Sequence, residues 1–340
     1  MTEESLKSWH LIWWLFKLFG FPITIPWLIY HFLDIMQQKR RKKTLNGKVV
    51  IITGASSGLG EALAHVFYAC GCKIILISRR KEELDRVKNT LMNTHVTIPT
   101  YPPVILPVDI TNINSLQTEI TKIIDIHGRI DILINNAGIS YRGEIINTNM
   151  DVDIKVMLTN YFAQIALAKV ILPYMIKQQS GHIVCISSIQ GKISIPYRLE
   201  YFIFIFKTYF SLNFNLYNSN RSAYAASKYA LQAWCDCCRA ELHDQNIKIT
   251  IVSPGYIKTS LSLNALTGNG QIYGVMDKTI QEGYYPKYVA DRILKAVLKE
   301  EKDILITPFI PKAAMYLRTL CPSLYFWIMQ KRAKKTKEKE

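Results

Sequence analysis

The sequence predicts an α/β protein whose core is a doubly wound parallel sheet of about seven strands. Three observations predict it. Short apolar runs suited to strands buried on both faces recur along the chain, and amphipathic stretches of helix length separate them. The first run leads straight into the glycine-rich turn Thr53-Gly-Ala-Ser-Ser-Gly-Leu-Gly60. At 340 residues and 49% hydrophobic content, the chain is long enough for one large core of this kind plus tails.

The first strand is Lys48 to Ile52, and Glu61 to Cys70 beyond the turn reads as a helix. Strand, glycine turn and helix in this order bring the backbone close to a phosphate and aim a helix N-terminus at its charge, as in a Rossmann-type fold. Gly54 permits the turn, Gly58 the approach of a pyrophosphate, and Gly60 tight packing of helix on strand. A glycine triplet alone is weak, and its place after the first buried strand gives it weight. The second strand, Lys73 to Ile77, ends in Ser78-Arg79-Arg80, where such a fold presents its ribose-recognition residue. An acid there would bind a ribose 2′-hydroxyl and repel a 2′-phosphate, whereas guanidinium forks suit phosphate oxygens. The position therefore predicts NADP(H), with Arg79 the leading ligand; the alternative is a pair of arginines capping the strand in solvent. Strands at Val104 to Val108, Ile130 to Ile134, Ile183 to Ile186, Ile247 to Val252 and Asp303 to Ile306 complete the sheet. Residues 260 to 285 follow Pro254-Gly255 at the carboxyl end of a strand, where ligands bind, and predict a substrate lid.

The chemistry points to Ser222-Ala-Tyr-Ala-Ala-Ser-Lys228, a helical stretch in which Tyr224 and Lys228 project from one face. A phenol with a reference pKa near 10 needs roughly 4 kcal/mol of help to give up its proton readily at neutral pH. A neighbouring ammonium supplies part of it. Taken alone, the pair also reads as two surface side chains; its setting in the chain decides.

That setting resembles the short-chain dehydrogenase/reductase family. The matching motifs are Thr53 to Gly60, Asn135-Asn-Ala-Gly138, Asn160, Ser188 in Cys185-Ile-Ser-Ser188, Tyr224 with Lys228, and Pro254-Gly-Tyr-Ile257 followed by Thr259. They keep the family's order over about residues 46 to 308. Ile189 to Pro196 and the hydrophobic N-terminus resemble the family's membrane-anchored member-seven branch, its B form above all. The resemblance implies that Tyr224 is the general acid in ketone reduction, and that Lys228 tunes its pKa and holds a ribose. It implies that Ser188 hydrogen-bonds the substrate carbonyl and that Asn160 holds a water linking Lys228 to solvent. It further implies cofactor contacts at Gly54, Ser56, Ser57, Gly58, Leu59, Gly60, Arg79, Asp109, Asn136, Ala137, Gly138 and Thr259. Asp109 would meet the adenine, and Asn136 to Gly138 would pass beneath the adenosine ribose. Each has a plainer reading: Asp109 as a cap for a helix near Asn114, Asn160 as a backbone partner, Ser188 as the start of a turn. The branch suggests an acyl- or alkyl-dihydroxyacetone phosphate as substrate, with a steroid or retinoid as the alternative.

The pattern breaks between Ser188 and Tyr224, which stand 36 apart where the family keeps about a dozen. Leu199 to Arg221 accounts for the excess, and it is aromatic, without Gly, Pro, Ala or Val. A surface loop is polar and punctuated by turn residues. The segment therefore reads either as non-native sequence or as a membrane-dipping flap beside the substrate mouth. If it is genuine and displaces Tyr224, the chain becomes a cofactor-binding scaffold without turnover.

Both ends point to a membrane. Leu11 to Met36 is largely apolar and contains three Trp, with a fourth at Trp9, and it runs into Lys39-Arg-Arg-Lys-Lys43. It is long enough for a single-pass anchor, though Pro22, Pro26 and Asp34 leave a monotopic helix open. Phe309 to Met329, followed by Lys331-Arg-Ala-Lys-Lys335, reads as a second surface-lying helix or as one packed on the core. Of the net charge of +16, residues 1 to 48 carry +5 and residues 308 to 340 carry +6. Basic charge beside apolar ends suits anionic lipid and argues against a nucleic-acid binder. The expected organisation is an anchor at 1–45, a catalytic domain at 46–308 on the cytosolic side of an endoplasmic reticulum or peroxisomal membrane, and a C-terminal helix and tail at 309–340. A homo-oligomer is left open. The seven Cys form neither a disulfide framework nor a metal site, and no metal is expected.

Overall fold

The structure is a computed structural model that describes residues 21–193 and 222–337. The atypical segment 199–221 and the first half of the expected anchor lie outside the described residues. The chain divides into two compact units at Leu45 and Asn46.

The first unit contains helix α1, Phe21–Lys43, which carries Pro26 inside it and Arg40, Arg41, Lys42 and Lys43 in its last turn. Cations there complement the carbonyl end of the helix dipole. Trp27, Tyr30, Phe32 and Leu33 are exposed along it.

The second unit alternates strand and helix. Its elements are β1 (Val49–Thr53), α2 (Gly58–Tyr68), β2 (Lys73–Ser78), α3 (Lys81–Met92), β3 (Val104–Pro107), α4 (Leu116–His127) and β4 (Ile132–Asn135). There follow a short β5 (Tyr141–Arg142), α5 (Met150–Met157), a wide helical turn (Leu158–Phe162), α6 (Ala163–Lys177) and β6 (Gly181–Ile186). The remainder is α7 (Ser222–Glu241), β7 (Ile247–Pro254), a short β8 (Leu266–Thr267), α8 (Lys278–Gln281), α9 (Pro286–Lys299), β9 (Asp303–Ile306), α10 (Phe309–Leu320) and α11 (Pro322–Lys337).

Seven strands form one sheet in the order β3-β2-β1-β4-β6-β7-β9. Every pairing in it is parallel. Because β1 to β3 run outward in one direction and β4 to β9 in the other, the order reverses between β1 and β4, and a crevice opens beyond their carboxyl ends. The helices cover both faces. Ile51, Ile75, Leu133, Ile183 and Ile251 pack with Ala163, Leu167, Ile171 and Met175 in one buried cluster, which is why the strands read as unbroken apolar runs. Among the described residues, one helix is long and apolar enough to cross a membrane, Met150–Lys177. Its inner face is part of that cluster, so it is a core helix.

Two features go beyond the sequence expectation. The tiny parallel pair β5–β8 joins the loop after β4 to the lid region through Tyr141 opposite Leu266. The C-terminal apolar run, expected as a single helix, is two helices broken at Cys321, which leaves helical geometry at φ −135° and ψ 65°. Pro322 explains the break, because its ring disfavours the helical region at the preceding residue. Ala314, Tyr325, Ile328 and Met329 on these helices are buried against Ile189 and Ile193, so one face packs on the core.

Candidate active site

The glycine turn sits at the crevice end of β1. Gly54 and Gly58 have φ of +64° and +60°, a region that a side chain makes costly. A Cβ on Gly60 would lie 2.2 Å from the Gly54 carbonyl oxygen, so only glycine lets α2 start this close to β1. A Cβ on Gly58 would lie 3.1 Å from the Thr259 methyl, which places Thr259 across from the turn. The N-terminus of α2 is not capped by the side chain of Ser57, leaving a helix end suited to an anion. Asn136 braces the turn from the side, donating from its amide to the Thr53 carbonyl at 2.9 Å, while Ala137 N–H donates to Thr53 Oγ1 at 3.0 Å.

The two arginines after β2 part company. Arg79 pairs with Asp109 at 3.7 Å, both substantially exposed. Arg80 turns inward and donates to Ser56 Oγ at 2.9 Å and Ser57 Oγ at 3.2 Å. Ser78 also donates to Ser56 Oγ, at 2.9 Å. Asp109 accepts from the Thr111 N–H at 3.0 Å and hydroxyl at 2.8 Å. Partial burial works against its charge, but the Thr111 hydrogen bonds and the Arg79 guanidinium hold it below the usual carboxylate value.

At the other end of the crevice, Ser188 lies just past the end of β6 at the start of a tight turn, and its hydroxyl accepts from Gln190 N–H at 3.2 Å. Tyr224 and Lys228 lie on α7, both buried. The Lys228 ammonium is 5.7 Å from the centre of the Tyr224 ring and donates to the Ile186 carbonyl at 2.8 Å. Burial lowers its pKa to about 8. Asn160 sits in the wide helical turn, accepting from Ile139 N–H at 2.8 Å and donating to Ile139 O at 2.9 Å and Ser227 Oγ at 3.2 Å. It stands behind the crevice wall, 3.1 Å from where a Cβ on Gly138 would be.

One cavity of about 500 Å³ joins these parts. Its wall includes the turn from Gly54 to Leu59, Arg79, Arg80 and Asp109, the Asn136 to Gly138 loop, Ser188, Tyr224, Lys228 and Thr259. Gln190 and Tyr256 also line it; each lies inside a run that carries the family resemblance, Ile189 to Pro196 and Pro254 to Ile257, but the resemblance assigns a site role to neither. The lid closes one side with Leu261 and Ile272. It is fastened by a buried ion pair in which Arg142 Nη2 meets Asp277 Oδ2 at 2.5 Å.

Comparison with known proteins decides the family. The family model described as short chain dehydrogenase matches residues 48–202 and 210–269. The chain belongs to the short-chain dehydrogenase/reductase family. It is 50% identical over 335 residues to the dehydrogenase/reductase SDR family protein 7-like of Anopheles gambiae, covering 98% of both chains. It is 45% identical over 333 residues to dehydrogenase/reductase SDR family member 7B of Xenopus laevis, covering 97% of this chain and 93% of the relative. Among solved structures, a short chain dehydrogenase/reductase from Burkholderia phymatum in complex with NAD superposes with a TM-score of 0.67 at 21% identity, covering 82% of this chain and 95% of that one. The fold is thus shared well beyond recognisable sequence.

As a short-chain dehydrogenase/reductase, the protein is an oxidoreductase that uses a nicotinamide dinucleotide, which supplies or accepts a hydride when bound. The residues fit it: two left-handed glycines, a third that admits no side chain, an uncapped helix end and guanidinium groups line one end of the cavity. At the other end, the phenol of Tyr224 can give a proton to a substrate oxygen while Ser188 Oγ–H donates to the same oxygen. A buried ammonium beside the ring favours the phenolate that remains.

The Lys228 pKa makes a test of this environment. A lysine held near 8 when folded and near its ordinary value when unfolded binds fewer protons folded than unfolded between those values. The stability of the ligand-free protein therefore gains from this group as pH rises through that window, and loses it as pH falls toward 8. Lys228→Met is expected to remove this slope, read as the difference between wild-type and variant Tm from pH 7.5 to about 10.5; parallel curves would contradict a buried, charge-disfavouring site.

Proposed function

We propose that the protein is an NADPH-dependent carbonyl reductase that takes an apolar, lipid-like ketone at a membrane surface, with Tyr224 as proton donor. The observation that carries this reading is the one cavity whose wall holds both the glycine turn with its arginines and the Ser188, Tyr224 and Lys228 side chains. Preference for NADPH is supported by what terminates β2: Ser78, Arg79 and Arg80, with no acid to repel a 2′-phosphate. Arg80 already bonds the serines of the turn. A hydrogen bond to a charged group is worth about 1.5–3 kcal/mol. Arg80→Ala is therefore expected to weaken NADPH binding roughly ten- to a hundredfold, with NADH affinity nearly unchanged. Equal losses for both coenzymes in a fluorescence titration would sink the 2′-phosphate role.

The substrate class is read from the mouth. Tyr256, Ile257, Leu261 and Ile272 line the cavity, and Ile272 is 71% exposed. Such a wall suits an acyl or alkyl chain. A phosphorylated headgroup needs a cation, and Lys155 stands in the same wall, which supports an acyl- or alkyl-dihydroxyacetone phosphate.

Membrane attachment is supported from both ends. Helix α1 combines exposed Trp27, Tyr30 and Phe32 with four cations in its last turn. Outward from the core, α10 and α11 expose Phe309, Tyr316, Leu320, Leu324, Phe326 and Trp327. Lys331 lies 4.1 Å from the Trp327 ring, a pairing suited to the headgroup layer. A single-pass anchor in the endoplasmic reticulum or peroxisomal membrane, with the catalytic unit in the cytosol, extends this reading.

The test is NADPH oxidation by the purified chain in anionic phospholipid vesicles, offered palmitoyl-dihydroxyacetone phosphate, a ketosteroid or retinal. Turnover of the first, lost without vesicles, is expected. Turnover confined to the steroid or retinal would reassign the substrate, and absence of NADPH oxidation with all three would refute the reductase reading.

A further inference from the structure

The turn that carries Ser188 is gripped from the far end of the chain. After Ser188 the backbone makes one tight helical turn, Ile189–Gly191. Ile189 at its start and Ile193 just after it are buried with Ala314, Tyr325, Ile328 and Met329 of α10 and α11. Lys192 in the same turn is ion-paired with Asp303 at the start of β9. On its inner side the turn presses on the catalytic helix: a Cβ on Gly191 would meet the Lys228 carbonyl oxygen at 2.8 Å, and Ser187 Oγ donates to that oxygen at 3.2 Å.

One side chain touches both partners. Arg318 of α10 donates from Nη1 to the Lys192 carbonyl at 3.4 Å. Its guanidinium carbon also lies 5.5 Å from the ring centre of Tyr229, the residue after Lys228. A planar cation can donate at its edge and stack on a ring with its face at once, which an ammonium cannot do.

We propose that Arg318 is a positioning residue for the reaction: it ties the turn bearing Ser188 to the helix bearing Tyr224 and Lys228, and so sets the spacing of the hydroxyl that orients the substrate from the one that protonates it. The proposal rests on the roles given above to Ser188 and Tyr224. Its energetic logic is that a long hydrogen bond and a partly exposed cation–π contact add little to global stability. A small displacement of a reacting group is, by contrast, strongly felt in rate.

The experiment compares wild type with Arg318→Ala and Arg318→Lys, using Tyr224→Phe as the control for the catalytic reading. In the ligand-free protein, amide hydrogen exchange is followed at Gly191, Lys192 and Ile193, whose N–H groups donate to Ser188 O and Ile189 O. Arg318→Ala is expected to speed exchange there and at the Tyr229 end of α7 by about tenfold, with exchange in β1 and Tm unchanged. With substrate, kcat is expected to fall about tenfold while the Kd for NADPH stays within about twofold, and Lys is expected to restore part of the loss. Unchanged exchange at Gly191 and Lys192 would overturn the proposal, and so would a uniform rise across the chain with a lowered Tm. If Tyr224→Phe remains fully active, the catalytic reading fails, while the exchange data still decide whether Arg318 holds the turn.

Discussion

Replacing Tyr224 by phenylalanine is expected to lower kcat for ketone reduction by roughly 10²–10⁴-fold while leaving the Kd for NADPH within about twofold. The substitution deletes one oxygen and keeps the ring, so the buried packing of α7 against Tyr141, Val152 and Leu266 is retained. What disappears is the proton that must reach the substrate oxygen as charge builds there. Serine cannot replace it, since an aliphatic hydroxyl is a far weaker acid than a phenol, and the Tyr224 ring centre has the Lys228 ammonium at 5.7 Å. Stopped-flow NADPH oxidation separates the two quantities, with thermal unfolding as the check on folding. A variant that reduces ketones at the wild-type rate would remove Tyr224 from the reaction.

Asp277→Asn carries the second large effect. Arg142 and Asp277 are both nearly inaccessible, and two guanidinium nitrogens converge on one carboxylate oxygen, Nε at 3.2 Å and Nη2 at 2.5 Å. The remaining nitrogen donates to Ser140 Oγ at 2.6 Å and the Tyr141 carbonyl at 2.9 Å. Removing one partner of a buried pair strands a charge, at about 3–5 kcal/mol. Here the chain has a cheaper escape than global unfolding, because lifting the lid hydrates Arg142. The expected result is therefore a modest fall in Tm, a substrate KM raised by about an order of magnitude or more, and faster proteolytic cleavage between Leu261 and Val275. Arg142→Met combined with Asp277→Leu is expected to recover Tm, since an apolar pair leaves no stranded charge. A single variant with unchanged KM and cleavage would mean that the pair does not hold the lid.

The parts of this molecule governed by local rules were legible in the sequence. Seven apolar runs became seven parallel strands because a sheet covered on both faces has no polar alternation to disguise it. The glycine turn was legible because each glycine answers a local constraint, a positive φ or a carbonyl too close for a Cβ. The Tyr224 and Lys228 pair was legible because helical spacing alone puts both on one face. Less was legible where one residue of register decides the outcome. Arg79 and Arg80 are neighbours at a strand end, so they point apart, and Arg80 rather than Arg79 bonds the serines of the turn. Contacts across long separations left no local trace. Arg318 meets Lys192 across 126 positions, and Arg142 meets Asp277 across 135. No local spacing pairs them, and only the fold of the chain brings each pair together.

The most direct measurement for the central claim follows the nicotinamide hydrogen. With NADPH deuterated at C4 on the transferred face and palmitoyl-dihydroxyacetone phosphate as the ketone, the wild-type product is expected to carry one deuterium on its carbinol carbon, and the Tyr224→Phe enzyme is expected to form almost none. Product without label, or labelled product made equally fast by the variant, would contradict a single cavity in which the glycine turn holds the coenzyme and Tyr224 protonates the substrate.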